Sequence, residues 1–229
     1  MGFHLEYLIG NDFLLLSISV ISNEENFILC IIFCTTAMPK LFSNPWKDHI
    51  NFSSRLKTAA RMKFYRWLLK KYCKGCRTVL DVGCGAGHFM KAAESMGIKA
   101  TGIELDERFN AKNVIIKNLW EFNGKYDVVF NSHLIEKMEN HEKFIKKMSE
   151  LSNGIVITIS AYLSRSFWNT PDHILPVTKV RIRWLFRRYG FRNLLSVHIP
   201  FYKAVLVISK KVTDKDNDEE SRKIRAGFW

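Results

Sequence analysis

Acidic residues are missing from two long stretches of this chain. Between Asp48 and Asp81 there is none, while Arg55, Lys57, Arg61, Lys63, Arg66, Lys70, Lys71, Lys74 and Arg77 fall inside that window. A second acid-free stretch follows Asp172 and carries Lys179, Arg181, Arg183, Arg187, Arg188 and Arg192. The formal net charge of +13 is therefore concentrated on particular segments. A face of one sign attracts an anionic partner, whether RNA, an anionic membrane surface or an acidic substrate; the plain alternative is a solvated basic surface. Long apolar runs are scarce as well. The runs at 13–21 and 27–37 both fall short of the roughly 18 to 20 residues that a transmembrane helix needs, and Glu24 and Glu25 between them would be costly in hydrocarbon. The opening Met1-Gly2-Phe3-His4-Leu5-Glu6 lacks the positive n-region of a secretory signal.

Cysteine is sparse. Cys30, Cys34, Cys73, Cys76 and Cys84 make an odd count without the spacing of a disulfide framework, which fits a reducing cytoplasm. Cys73-Lys74-Gly75-Cys76 has metal-ligand spacing, but no second Cys or His pair follows to complete a tetrahedral site. No structural metal is expected, and the pair reads as a helix-end turn with incidental thiols.

At 229 residues with 47% hydrophobic and 25% charged residues, the chain can bury one sizeable core. Residues 1–40 stand apart in composition. Their two apolar runs around Ser22-Asn23-Glu24-Glu25-Asn26 have the pattern of a β-hairpin docking on the body or on a membrane surface, and an extension ahead of a start at Met38 is an equal reading. Residues 41–73 hold a basic amphipathic helix, because Leu56, Ala59, Ala60, Phe64, Trp67 and Leu68 recur at helical spacing over 52–72. From 74 to 211, short apolar runs alternate with helical segments. Strands are predicted at 78–82, 100–104, 113–116, 126–131, 154–160, 194–199 and 204–209, and helices at 88–96, 141–151 and 178–189. That alternation predicts an α/β fold: a doubly wound, mostly parallel seven-stranded sheet with helices on both faces. The last two strands are joined only by Pro200-Phe201-Tyr202-Lys203, too short for a parallel crossover, so they form an antiparallel hairpin at one sheet edge. Residues 212–229 are a charged tail, and no internal repeat is visible.

The chemistry is concentrated in Thr78-Val79-Leu80-Asp81-Val82-Gly83-Cys84-Gly85-Ala86-Gly87-His88, a buried strand entering a glycine-rich turn and then a helix. Glycines let the backbone approach a ligand, and the helix start supplies unsatisfied N–H donors. A dinucleotide-binding G-x-G-x-x-G would need glycine where His88 stands. Val79 to Gly87 instead resembles the first motif of the class I, Rossmann-like S-adenosylmethionine-dependent methyltransferases. Gly102-Ile103-Glu104-Leu105-Asp106 is similar to the second motif, whose acid binds both ribose hydroxyls. The resemblance covers about residues 74–210. It implies S-adenosyl-L-methionine as cofactor, held by Asp81, Gly83, Cys84, Gly85, Gly87, Glu104, Leu105, Asn118, Leu119 and Asn131. Glu104 is the ribose ligand, with Asp106 the alternative, and Asn118 stands where the family usually has an acid against the adenine amine. After the fourth sheet strand the family commonly closes in Glu-His; this chain has Glu136-Lys137 and departs from the family there. Within the family the look is of small-molecule methyltransferases of the ubiquinone-biosynthesis type, carried by Pro171-Asp172-His173-Ile174-Leu175-Pro176-Val177-Thr178 and by Gly190-Phe191.

Methyl transfer from a sulfonium needs alignment more than a metal or a covalent nucleophile. The expected acceptor is a small-molecule or lipid-like hydroxyl, amine or carbon. A base helps where a hydroxyl or amine must lose its proton, and the candidates are His133 and His173, both expected at the carboxyl end of the sheet. Tyr162 and Trp168 are candidate walls for the acceptor. RNA methylation is the second reading, resting on the basic segments and weakened by Asn131-Ser132-His133-Leu134, which lacks the Asn/Asp-Pro-Pro-aromatic motif. A non-catalytic binding protein on the same fold is the third, supported by the departures at Asn118 and Lys137. The resulting expectation is a cytoplasmic or membrane-peripheral protein.

Because every motif lies beyond residue 74, a chain beginning at Met38 is expected to fold and to bind cofactor as the full chain does. Calorimetric titration of both forms tests this, and aggregation of the shorter one would show that the apolar pair covers part of the core.

Overall fold

The structure is a computed structural model that describes residues 16–23, 26–33, 46–161, 170, 172–199 and 204–213, with side chains from residue 58 onward. It divides into two compact units, Met1–Asn51 and Phe52–Trp229. The first unit holds the anticipated hairpin of β1 (Leu16–Asn23) and β2 (Asn26–Phe33), paired antiparallel from Leu16 with Phe33 to Asn23 with Asn26. The β-branched Ile18, Val20 and Ile21 of β1 and Ile28, Ile31 and Ile32 of β2 suit extended backbone.

In the second unit α1 (Trp46–Tyr72, counted here from residue 52) precedes a seven-stranded sheet. The expected segment 52–72 forms it, and the helix begins six residues earlier, at Trp46. Its strands are β3 (Thr78–Val82), β4 (Lys99–Glu104), β5 (Val114–Ile116), β6 (Tyr126–Ser132), β7 (Ser152–Ala161), β8 (Phe191–Ile199) and β9 (Ala204–Lys211). They lie in the order β5-β4-β3-β6-β7-β9-β8. The first five pair in parallel, while β9 runs antiparallel to both β7 and β8. This is the doubly wound sheet with an edge hairpin that the alternation of runs predicts. Strands β7 and β8 begin earlier than their apolar runs. Arg192 and Asn193 join β8 through pairing with Lys210 and Ser209, so the ladder overrides their weak strand preference.

Two cores sandwich the sheet. On one face Leu68 and Leu69 of α1 and Phe89 of α2 (His88–Glu94) meet Val79, Val128, Phe130 and Ile157. Phe89 and Phe130 stack with ring centres 3.9 Å apart, and Tyr65 of α1 meets both rings edge-on. Such a cluster carries a large share of burial energy and explains why Tyr65 faces the body. On the other face Phe144, Ile145 and Met148 of α3 (His141–Leu151) and Ile182, Leu185 and Phe186 of α4 (Lys179–Arg188) cover Leu80, Val129 and Val156. Among the described residues no helix is long and apolar enough to cross a membrane.

One contact couples the sheet to the glycine loop. A Cβ on Gly102 would lie 2.6 Å from both Cys84 Sγ and Met90 Sδ, so β4 can hold the loop and the start of α2 this closely only with glycine there. Gly102→Ala is expected to destabilise the protein by about 1–3 kcal/mol. A thermal melt indistinguishable from that of the parent would show that the loop yields instead.

Candidate functional site

The site grows out of the carboxyl ends of β3 and β4, where open α/β sheets bind ligands. The chain turns sharply after Val82, with Gly83, Gly85 and Gly87 at φ of 69°, 47° and 67°. These are left-handed values that side chains with a Cβ rarely adopt. The amides of Gly83 and Cys84 donate to the Ile103 carbonyl at 2.9 and 3.1 Å, which ties the turn to β4. Gly87 then starts α2, its carbonyl accepting from Lys91 N–H at 3.0 Å.

Glu104 closes the arrangement. Its Oε2 accepts from the Gly85 amide at 2.8 Å and its Oε1 from the Leu105 amide at 2.8 Å. Beside the loop lies a groove of about 330 Å³ lined by Gly85, Gly87, Met90, Arg108, Asn110 and Lys112. A Cβ built on Gly85 meets nothing within 4 Å. The loop therefore presents open space next to an anchored carboxylate, and these residues fit a ligand bearing hydroxyl donors and a compact polar end.

Asp81 lies just behind, buried at 3% exposure. Burial, and then the charge of Glu104, push its carboxyl up to about 8. The same causes, burial first and then Asp81 and Glu104, push the Cys84 thiol up to about 12, which leaves it a packing residue against β4 rather than a nucleophile. The other anticipated cofactor residues are spread further. Leu105 is largely exposed and Leu119 buried. Asn118 is exposed and caps the short turn Leu119–Glu121, its Oδ1 accepting from Trp120 N–H at 3.1 Å. Asn131 is fully buried, and the structure does not bring its side chain to the glycine loop. Asp81 is level with Phe130, which places Asn131 on the opposite face, where its Nδ2 donates to Thr158 Oγ1 at 3.0 Å.

A second cluster forms where β6 ends. His133 has a left-handed backbone (φ 54°), and its Nδ1 lies 3.0 Å from Glu136 Oε1. Glu136 is completely buried. It also accepts from Ala161 N–H at 2.9 Å and Ser160 Oγ at 3.1 Å, at the end of β7. Burial alone would raise this carboxyl, but the bonds from His133 and from backbone amides hold it below its ordinary range. Glu136 thus stays ionised and, as the acceptor facing Nδ1, orients the His133 ring. The Glu136 carbonyl accepts from Ile174 N–H at 2.9 Å, so the loop bearing the half-buried His173 hangs on the same residue. Lys137, at the family's histidine position, forms an ion pair with Asp172 of that loop. Glu136 was not among the anticipated site residues, although its place in the Glu-His pattern was visible. Tyr162 and Trp168 lie outside the described residues. Cys73 and Cys76 end α1 as free thiols, and among the described residues they are not part of any group of three or more metal-ligating side chains.

The chain matches the methyltransferase domain family over residues 52–196. Over 118 residues it is 30% identical to ribosomal protein L11 methyltransferase of Thermotoga maritima, a match spanning 45% of this chain and 43% of that protein. The corresponding protein of Thermosipho melanesiensis is 32% identical over 111 residues, 39% of this chain and 40% of its own length. The chain therefore spans less than half the length of these relatives. Among solved structures, magnesium protoporphyrin IX methyltransferase from Synechocystis with bound SAH superposes with a TM-score of 0.55 at 17% identity, covering 76% of this chain and 90% of that one. A SAM-dependent methyltransferase from Archaeoglobus fulgidus superposes with a TM-score of 0.53 at 20% identity, covering 70% and 99%.

The raised carboxyl of Asp81 has a measurable consequence for the ligand-free protein. A folded acid held at about 8 stabilises the protein fully below its ordinary range near 4, and that contribution is lost as pH rises through about 8. Between about pH 5 and pH 9 the wild type is expected to lose several kcal/mol relative to Asp81→Asn. Parallel pH dependence of the two melting curves would contradict this burial.

Proposed function

The chain belongs to the methyltransferase domain family, in its Rossmann-like, S-adenosylmethionine-dependent class, and from that membership we propose that it methylates a small-molecule or lipid-like acceptor at a hydroxyl, amine or carbon. The observation that carries the reading is the Glu104 carboxylate set 2.8 Å from the Gly85 amide beside open space. Glu104 accepts the ribose hydroxyls, the backbone of Gly83 to Gly87 approaches the amino-acid end of the cofactor, and Asp81 lies behind that end. Leu105 and Leu119 flank the adenine, and the free lone pair of the Asn118 oxygen accepts from its amine. Asn131 contributes through its backbone, since its side chain serves β7. The bound cofactor supplies an electrophilic methyl group, so the protein's part is alignment and the handling of one proton.

His133 is the stronger candidate base. Its Nδ1 is engaged by a buried carboxylate, which leaves Nε2 to take a proton from a hydroxyl or amine, and Glu136 positions it. His173 lies on the loop that follows β7 and contributes to acceptor binding. A protein acceptor is the second reading, favoured by the sequence match to ribosomal protein L11 methyltransferases.

The roles separate by measurement. Glu104→Ala should weaken cofactor binding about ten- to a hundred-fold in calorimetry. His133→Ala should leave that affinity intact and lower turnover of the true acceptor by roughly 10²-fold or more. Glu136→Gln should fall between the parent and His133→Ala in turnover. Full cofactor affinity in Glu104→Ala would remove the proposed anchor, and full turnover in His133→Ala would move the base elsewhere.

A further inference from the structure

The outward face of α4 carries a pattern that neither the fold nor the cofactor site uses. Ile182, Leu185 and Phe186 are buried, and the opposite line of the helix is formed by Val180 and Trp184. Val180 is 64% exposed and Trp184 50%. Arginines stand on both shoulders of this apolar line: Arg183 and Arg187 on one side, Arg181 and Arg188 on the other. The guanidinium carbons of Arg181 and Arg188 lie 5.7 and 5.0 Å from the Trp184 ring centre. The helix has no acidic residue; its partner from α3 is Glu142, 2.8 Å from Arg188. The loop leading into α4 adds two more apolar groups at the surface, Ile174 and Leu175, at 47% and 42% exposure.

We infer that this face is a docking surface for an anionic lipid bilayer, an inference that rests on the proposed lipid-like acceptor. An apolar line between cationic shoulders suits the interface plane: Val180 and Trp184 enter the headgroup layer, and the arginines reach lipid phosphates on either side. Charge complementarity alone would also admit RNA. The exposed aliphatic residues decide between them, because Ile174, Leu175 and Val180 neither stack on bases nor bond to their edges, whereas the acyl boundary gains from burying them. The topology gives the docking a purpose. Helix α4 connects the carboxyl end of β7 to the amino end of β8, so it starts at the sheet edge that bears His133, Glu136 and the His173 loop. A bilayer held against α4 and this loop lies beside the proposed acceptor mouth.

The test uses the full chain and phosphatidylcholine vesicles with or without about a quarter phosphatidylglycerol, at about 0.1 M salt, read by co-sedimentation. The wild type should bind the anionic vesicles at least about tenfold better than the neutral ones. The double variant Arg183→Glu/Arg187→Glu should lose about tenfold or more of that binding. Val180→Ser/Trp184→Ser should lose a similar factor while keeping the salt dependence of what remains. Both change exposed positions, and calorimetry should find their cofactor affinity equal to that of the parent. Equal binding to both vesicle types overturns the inference, as does vesicle binding that survives in both variants. Loss of binding to an RNA oligonucleotide in these variants, with no vesicle binding by the parent, assigns the face to nucleic acid and overturns it too. Cofactor binding without vesicle binding removes the docking surface and leaves the proposed function standing; vesicle binding without cofactor binding removes the function.

Discussion

The bond from the Gly85 amide to the Glu104 carboxylate fixes the distance between the glycine turn and the second strand of the sheet, and the arrangement of the site follows from it. A parallel sheet delivers adjacent strand ends to one edge but leaves the loops above them undetermined. Here the turn is tied at two levels, by the Gly83 and Cys84 amides on the Ile103 carbonyl and by Gly85 on the Glu104 side chain. The lower tie needs only backbone. The upper one needs a carboxylate, and Asp81 is buried close behind it. Two acids at adjacent strand ends raise each other's cost of ionisation. Burial and the neighbouring Glu104 make Asp81 hold its proton, while the Glu104 side chain is the one that bonds the Gly85 and Leu105 amides.

A second buried carboxylate organises the other half of the site. Glu136 joins the end of β6 to the end of β7 and to the loop before α4. Removing such a group would leave several donors unpaired in a dry environment, a larger penalty than the net worth of any one bond. The loop is held by a charged pair as well, Lys137 with Asp172. Lys137, a departure from the family pattern by sequence, thus has a structural partner of its own.

Much of this was legible in the residues. The apolar runs marked all seven strands of the large sheet, and the short link before Ala204 required the antiparallel edge. The glycine turn followed from the spacing of its residues, and the position of Glu104 from the resemblance to the family's second motif. Three things were not legible. Which face Asn131 occupies depends on strand register, which a single sequence does not encode, and one residue of register reverses the face. Glu136 was not among the anticipated site residues, and glutamate is rarely buried. Its burial depends on partners far along the chain, Ser160 and Ala161, and no local pattern announces them. The beginning of α1 at Trp46 was missed as well, since the segment before Phe52 carries little helical periodicity.

The two borders of the large sheet differ in length. Strand β5 closes one side with three residues, whereas β8 closes the other with nine. A strand of three residues offers few open amides and carbonyls to a passing chain. A strand of nine offers a template for edge-to-edge association. Along β8 the side chains of Arg192, Asn193 and His198 interrupt what would otherwise be an apolar border. Polar side chains on that border, far from the edge that carries the glycine loop, work against edge-to-edge self-association of the folded protein.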